Sequence, residues 1–155
     1  MTPESRLPEV RIAPRRVTIG AHEADALAAQ ALALIRDRGE VVLNAVDSGI
    51  YILDAEGRTL FVNTAGVRTL GYDSAREMIG QPQHPLIHHS YADGSPFPIE
   101  ECPIYQTVTQ GIQQEVGGDT FWRRDGRPVL VDYTAIPIRE GRALVGVVVT
   151  FHARS

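Results

Sequence analysis

The sequence predicts an α+β domain in which two strands, several short helices and then three strands follow an N-terminal amphipathic helix. Three observations carry the prediction: a strand–helix–helix unit with its caps written out near the middle, turn-bounded segments with strand character at the end, and an alanine- and leucine-rich stretch of helical period before both. The middle unit, residues 54–82, organises the rest. Asp54-Ala55-Glu56-Gly57 reads as a tight turn, and Leu60, Phe61 and Val62 as a short strand. Asn63 stands at a helix N-cap and Gly71 at the left-handed stop, which predicts a helix over 64–70. Ser74-Ala75-Arg76-Glu77 has capping-box spacing and opens a second short helix that Gly80 ends before Pro82. Helices this short are marginal alone, so they must pack onto another element.

Residues 1–20 carry three prolines, mixed charge and no apolar periodicity, the profile of an extended or disordered leader. Over 21–39, Leu27, Ala31, Leu34 and Ile35 share one side at helical spacing and Gly39 closes the helix. Such a stripe either covers the domain's own sheet or meets a second copy. A short helix from Glu40 to Val46 leads into Gly49–Leu53, an apolar strand expected to be buried on both faces. With the strand at 58–62 it forms an antiparallel hairpin. Residues 81–99 contain four prolines and an Asp93-Gly94 turn, an irregular stretch of the kind that has a task or a fixed docking place. A helix over about 101–110 follows, with Pro103 in its first turn and Gly111 at its end. Three strands close the chain: 115–124, 127–138 with Val129, Val131, Tyr133 and Ala135 on one face, and 143–151.

Asn63, Ala65, Leu70, Gly71, Tyr72, Glu77, Ile79 and Gly80 resemble the core signature of PAS domains, the sensory modules of signalling proteins. Trp122-Arg123-Arg124-Asp125-Gly126 with Tyr133–Ile138 resembles the closing hairpin of that family. The run His88–Pro98 with Glu101-Cys102-Pro103-Ile104 is similar to a loop-and-helix variant found in bacterial sensors. The resemblance covers about residues 40–152 and implies a five-stranded antiparallel sheet with short helices packed on one face around a small cavity. It also implies a flanking helix that dimerises, here through Leu27, Ala31, Leu34 and Ile35. The signalling linker that usually follows the last strand in that family is replaced by Phe151-His152-Ala153-Arg154-Ser155, so no output domain or signalling partner is expected within this chain, either because it has been cut away or because there never was one.

The expected function is a sensory PAS module of bacterial signal transduction that binds a small ligand, dimerises, or both. Apolar side chains expected to converge between sheet and helices are Ile50, Ile52, Val67, Leu70, Ile104, Val108, Val147 and Val149. Tyr105, Trp122 and Tyr133 are polar-tipped aromatics that can orient a ligand there. One alternative is a haem- or metal-binding redox or gas sensor through His88 and His89, in a cluster with His84 and Cys102; His84 and His88 are one helical turn apart. The other is a ligand-free protein–protein scaffold. Flavin photochemistry is not expected, because Cys102 lies between Glu101 and Pro103 and the light-sensing branch's cysteine motif is missing. No nucleophile–base pair or carboxylate pair is recognisable, so the chain is not expected to be an enzyme.

Composition narrows the rest. One cysteine excludes an internal disulfide framework, and no apolar run approaches the ~18 residues of a membrane span. The start of the chain lacks a secretory apolar core, so the cytoplasm is the expected compartment. A net charge of −4 with scattered basic residues gives no footprint for nucleic acid.

Overall fold

The computed structural model describes residues 11–154. The leader expected over 1–20 is therefore described only in its second half, which takes no regular structure; the remainder lies outside the described residues. The chain divides into two compact units, residues 1–37 and 38–155. Helix α1, Ala21–Asn44, is interrupted at Arg38, where φ is −135° and ψ 26°. The expected stop at Gly39 and the expected short helix after it thus appear as one helix with a break. No residue of α1 is buried, and Leu27, Leu34 and Ile35 are exposed. No helix among the described residues is long and apolar enough to cross a membrane.

The second unit is a single antiparallel sheet in the order β2-β1-β5-β4-β3. Its strands are β1 (Gly49–Asp54), β2 (Thr59–Val62), β3 (Gln114–Trp122), β4 (Pro128–Glu140) and β5 (Ala143–Ala153). The first two and the last three pair as antiparallel hairpins, turning at Asp54–Gly57, Asp125-Gly126 and Glu140-Gly141; β5 then inserts between β1 and β4. Between the hairpins lie α2 (Thr64–Leu70), a 3-10 turn (Ala75–Glu77), α3 (Gln83–Ile87), a second 3-10 turn (Ile99–Glu101) and α4 (Pro103–Gln110). Asn63 caps α2 by accepting from the Gly66 N–H, and Gly71 ends it at φ 74°. The Ser74–Glu77 capping box is present, but it opens one 3-10 turn rather than an α-helix.

One face of the sheet carries the core. Strand alternation places Tyr51 and Leu53 from β1, Val131, Tyr133 and Ala135 from β4, and Val147, Val149 and Phe151 from β5 on it. The helical segments answer with Leu70, Met78, Ile87, Cys102, Ile104 and Val108. The same alternation turns Ile50 and Ile52 to the other face, so these two do not line the space between sheet and helices as expected. The apolar run of β1 hid which of its two registers faces inward.

Candidate functional site

The helical cover places a polar cluster where an apolar core is expected. Pro82 opens α3 with an extended backbone, and the single helical turn that follows sets His84 and His88 one above the other. Cys102 precedes Pro103 at the N-cap of α4. The third component, Asp119, comes from β3. There the pairing with β4 slips between Val116 and Asp119, and Gly118 takes φ 73°. The extra residue of this bulge reverses the alternation, so Asp119 joins Phe121 on the inner side instead of Glu115 on the outer.

His88 has no exposure and both ring nitrogens are engaged. Its Nε2 lies 2.9 Å from Asp119 Oδ2 and its Nδ1 3.2 Å from Cys102 Sγ. The Tyr133 hydroxyl donates to the same Asp119 Oδ2 at 3.3 Å, and the Thr120 N–H donates to Oδ1 at 2.7 Å. Rings of Phe97, Phe121 and Tyr133 surround the imidazole at centroid distances of 4.7, 5.3 and 6.0 Å. His84 stands beside it, with Nε2 2.8 Å from the Phe97 carbonyl oxygen. The ligating atoms of His84, His88 and Cys102 all lie within 4.8 Å of one another.

These contacts decide the charge states. Burial opposes a charged His88, but the bonds to Asp119 and Cys102 outweigh it and raise the imidazole to about 9. Burial likewise opposes a thiolate at Cys102, yet the bonded, positively charged His88 ring outweighs it and lowers the thiol below its ordinary range. Asp119, despite its own burial, is held below the ordinary carboxylate range chiefly by His88. The contacts along this line thus favour the carboxylate, imidazolium and thiolate forms together. The line has the connectivity of a nucleophile, its base and an orienting acid, which the linear sequence did not reveal. Cys102 is fully buried, so no substrate carbonyl reaches Sγ in this arrangement.

Next to this line is a cavity of about 50 Å³ lined by Leu53, Gln83, His84, Ile104, Tyr105 and Val108 among others. Gln83 is 3% exposed, and its amide Nε2 has no hydrogen-bond partner; the same holds for His84 Nδ1. This space is far below the ~300 Å³ at which drug-sized ligand sites begin.

Of the residues expected to converge, Leu70, Ile104, Val108, Tyr133, Val147 and Val149 are in the core and Val67 packs against it. Tyr105 sits at the cavity but is 37% exposed. Trp122 is directed to the irregular loop, where its indole N–H donates to the Ser90 carbonyl oxygen at 2.8 Å. His89 does not join His88: it is exposed, bonds Ser90 Oγ and stacks on Trp122 with centroids 5.5 Å apart. The pair His88/His89 thus cannot ligate one iron or metal ion, since consecutive residues here point to opposite sides. Sequence reasoning missed Gln83 and Asp119. The Gly117-Gly118 pair inside a strand was the available signal for the bulge that turns Asp119 inward.

A profile of the PAS fold matches residues 37–154. Solved structures agree in architecture. The PAS domain of an HTR-like protein from Haloarcula marismortui superposes with a TM-score of 0.58 at 19% identity, over 83% of this chain and 99% of that one. The PAS domain of nitrogen regulation protein NR(II) from Vibrio parahaemolyticus gives 0.57 at 23% identity, over 76% and 98%. A PAS domain from Colwellia psychrerythraea gives 0.62 at 21%, over 78% and 97%. No curated protein matches the sequence. Because the profile runs through every strand of the sheet and all of its helical cover, the chain belongs to the PAS family.

Proposed function

We propose that this chain is a sensory module of bacterial signal transduction that takes its input as a small ligand beneath α3 and α4. The observation that carries the reading is Gln83. A buried amide N–H₂ without an acceptor costs free energy, and it lines a small cavity whose other walls include Leu53, Ile104 and Val108. A ligand that brings an acceptor into that space removes the cost. At about 50 Å³ the cavity suits a ligand of a few non-hydrogen atoms, such as a short carboxylate or amide, unless α3 and α4 move apart. Binding shifts the helical cover toward the arrangement that satisfies Gln83, and that shift is the signal. The same reading is non-catalytic, because the one thiolate of the chain is sealed in the core.

The test is a thermal-shift panel of formate, acetate, propionate, acetamide and urea, with native mass spectrometry of the protein as purified. A ligand held at 100 times its Kd stabilises by about 2.7 kcal/mol, which is readily seen, and Gln83→Leu abolishes the effect. A bare chain mass together with a flat panel removes the small-ligand reading.

A second reading, dimerisation through α1, is supported by the exposure of Leu27, Ala31, Leu34 and Ile35 along its apolar stripe. Replacing Leu27 and Leu34 by Glu then converts a dimer to a monomer by light scattering. An unchanged dimer excludes this helix, and a wild-type monomer excludes the reading altogether.

A further inference from the structure

We propose that His84, His88 and Cys102 form a binding site for a divalent transition metal of the zinc type, with Asp119 and the Phe97 carbonyl holding the two imidazoles in place. The assignment goes beyond the sensory reading and stands whether or not a small organic ligand is bound.

The argument begins with the hydrogen-bond roles. A carbonyl oxygen only accepts, so the 2.8 Å contact from His84 Nε2 to Phe97 fixes the proton on Nε2 and leaves Nδ1 with its lone pair. That Nδ1 is buried and has no partner. The far nitrogen of His88 is held in the same way, Nε2–H donating to Asp119 at 2.9 Å, while its Nδ1 faces Cys102 Sγ at 3.2 Å and becomes a ligand once the proton between them leaves. Metal-ligating histidines have this second contact almost without exception, from a carboxylate or a backbone carbonyl to the far ring nitrogen. Here one ring has each kind. Both near nitrogens and the sulfur then converge within 4.8 Å, whereas a tetrahedral Zn²⁺ with bonds of about 2.0–2.3 Å sets its ligands roughly 3.3–3.7 Å apart. Closing the difference takes a shift of about an ångström in the half-buried His84.

The donor set selects the ion. One thiolate with two imidazoles suits zinc and its neighbours, and offers nothing to Mg²⁺ or Ca²⁺, which take oxygen ligands. The incoming ion replaces the proton that Cys102 Sγ and His88 Nδ1 share, and that proton leaves to solvent. Three protein ligands leave a fourth position for water or an exchangeable ligand, the arrangement of reactive rather than purely structural zinc sites.

The test uses the full chain, reduced, stripped with a chelator and titrated with Co²⁺. The expected result is a near-ultraviolet thiolate-to-cobalt charge-transfer band with the intense visible bands of four-coordinate cobalt, saturating at one equivalent and displaced by Zn²⁺. Asp119→Asn lowers affinity about 10- to 100-fold. His84→Ala, which alters only a half-buried side chain, lowers it further, and His89→Ala leaves it unchanged. The unmodified chain alone decides the matter if a core variant fails to fold. Absence of the charge-transfer band, a six-coordinate spectrum, or an equal loss in His89→Ala overturns the assignment and leaves the small-ligand reading untouched.

Discussion

The side chain of Asn63 holds the backbone of Ile50 across the start of the domain: Oδ1 accepts the Ile50 N–H at 2.8 Å while also accepting from Gly66 at 2.9 Å. Its Nδ2 donates to the carbonyl oxygens of Ser48 at 2.9 Å and Leu43 at 3.0 Å. One buried amide thus joins the end of α1, the first residues of β1 and the first turn of α2.

A helix cap alone predicts that Asn63→Asp is nearly neutral, since both residues cap well. The Nδ2 contacts predict the opposite, because a carboxylate there faces two carbonyl oxygens. Asn63→Asp and Asn63→Ala are each expected to lose at least about 3 kcal/mol, several buried partners being left unsatisfied. Urea unfolding measures this, and a neutral Asn63→Asp reduces Asn63 to a cap.

Gly49 pairs with Phe151 across β1 and β5, and the Phe151 ring lies over it. A Cβ added at Gly49 would come within 2.5–2.8 Å of three ring atoms. Gly49→Ala is therefore expected to cost about 2 kcal/mol by overpacking. Phe151→Leu clears the space, so the double variant should be more stable than the sum of the two losses by about 1 kcal/mol or more. Strict additivity in a denaturant cycle sinks this account.

What was legible in the sequence was local. Asn63 and Gly71 bound α2 because cap and stop act within one turn, and Gly126 marks a hairpin for the same reason. The inward face of β4 was legible because its apolar residues alternate, while the continuous apolar run Ile50–Leu53 put Ile50 and Ile52 on the wrong side. The candidate site was only half legible. His84, His88 and Cys102 stood out by residue type, but their union with Asp119 depends on a bulge that reverses the parity of β3, and on a pairing that spans 31 residues. Sequence spacing alone also grouped His89 with His88, although neighbours in this loop diverge.

Tyr51 and Thr59 share a 2.6 Å hydrogen bond in which the direction is fixed by a third group. The Thr59 hydroxyl gives its only hydrogen to the Gln81 carbonyl oxygen at 2.7 Å, so Tyr51 must be the donor. Burial holds that phenol protonated far above its ordinary range. Tyr51→Phe removes a donor and leaves Thr59 still bonded to Gln81, at a cost of about 1 kcal/mol. Thr59→Val removes the same bond but strands the buried phenol, and is expected to cost about 2–3 kcal/mol. Equal losses in the two variants reverse the assigned direction.

Asp132 ties the outer side of the β3 bulge to the end of β5. Its Oδ1 accepts from the Gly118 N–H at 2.8 Å and from Arg154 Nε at 2.7 Å, and Oδ2 lies 3.5 Å from His152 Nε2. The Gly118 N–H first, and then Arg154, hold its carboxyl below the ordinary carboxylate range. A carboxyl depressed by folding adds stability that is present above its unfolded pKa of about 3.9 and disappears as the pH falls through the folded value. Asp132→Asn should therefore flatten the dependence of Tm on pH below about 5, while other depressed carboxylates such as Asp54 and Asp119 keep part of the slope in both proteins. Salt screens the exposed Arg154 contact but not the backbone N–H, so the difference between the two slopes should shrink in 1 M NaCl without vanishing. Identical slopes for the two proteins at low salt mean that Asp132 is not depressed, and a difference that vanishes in salt assigns the effect to Arg154 alone.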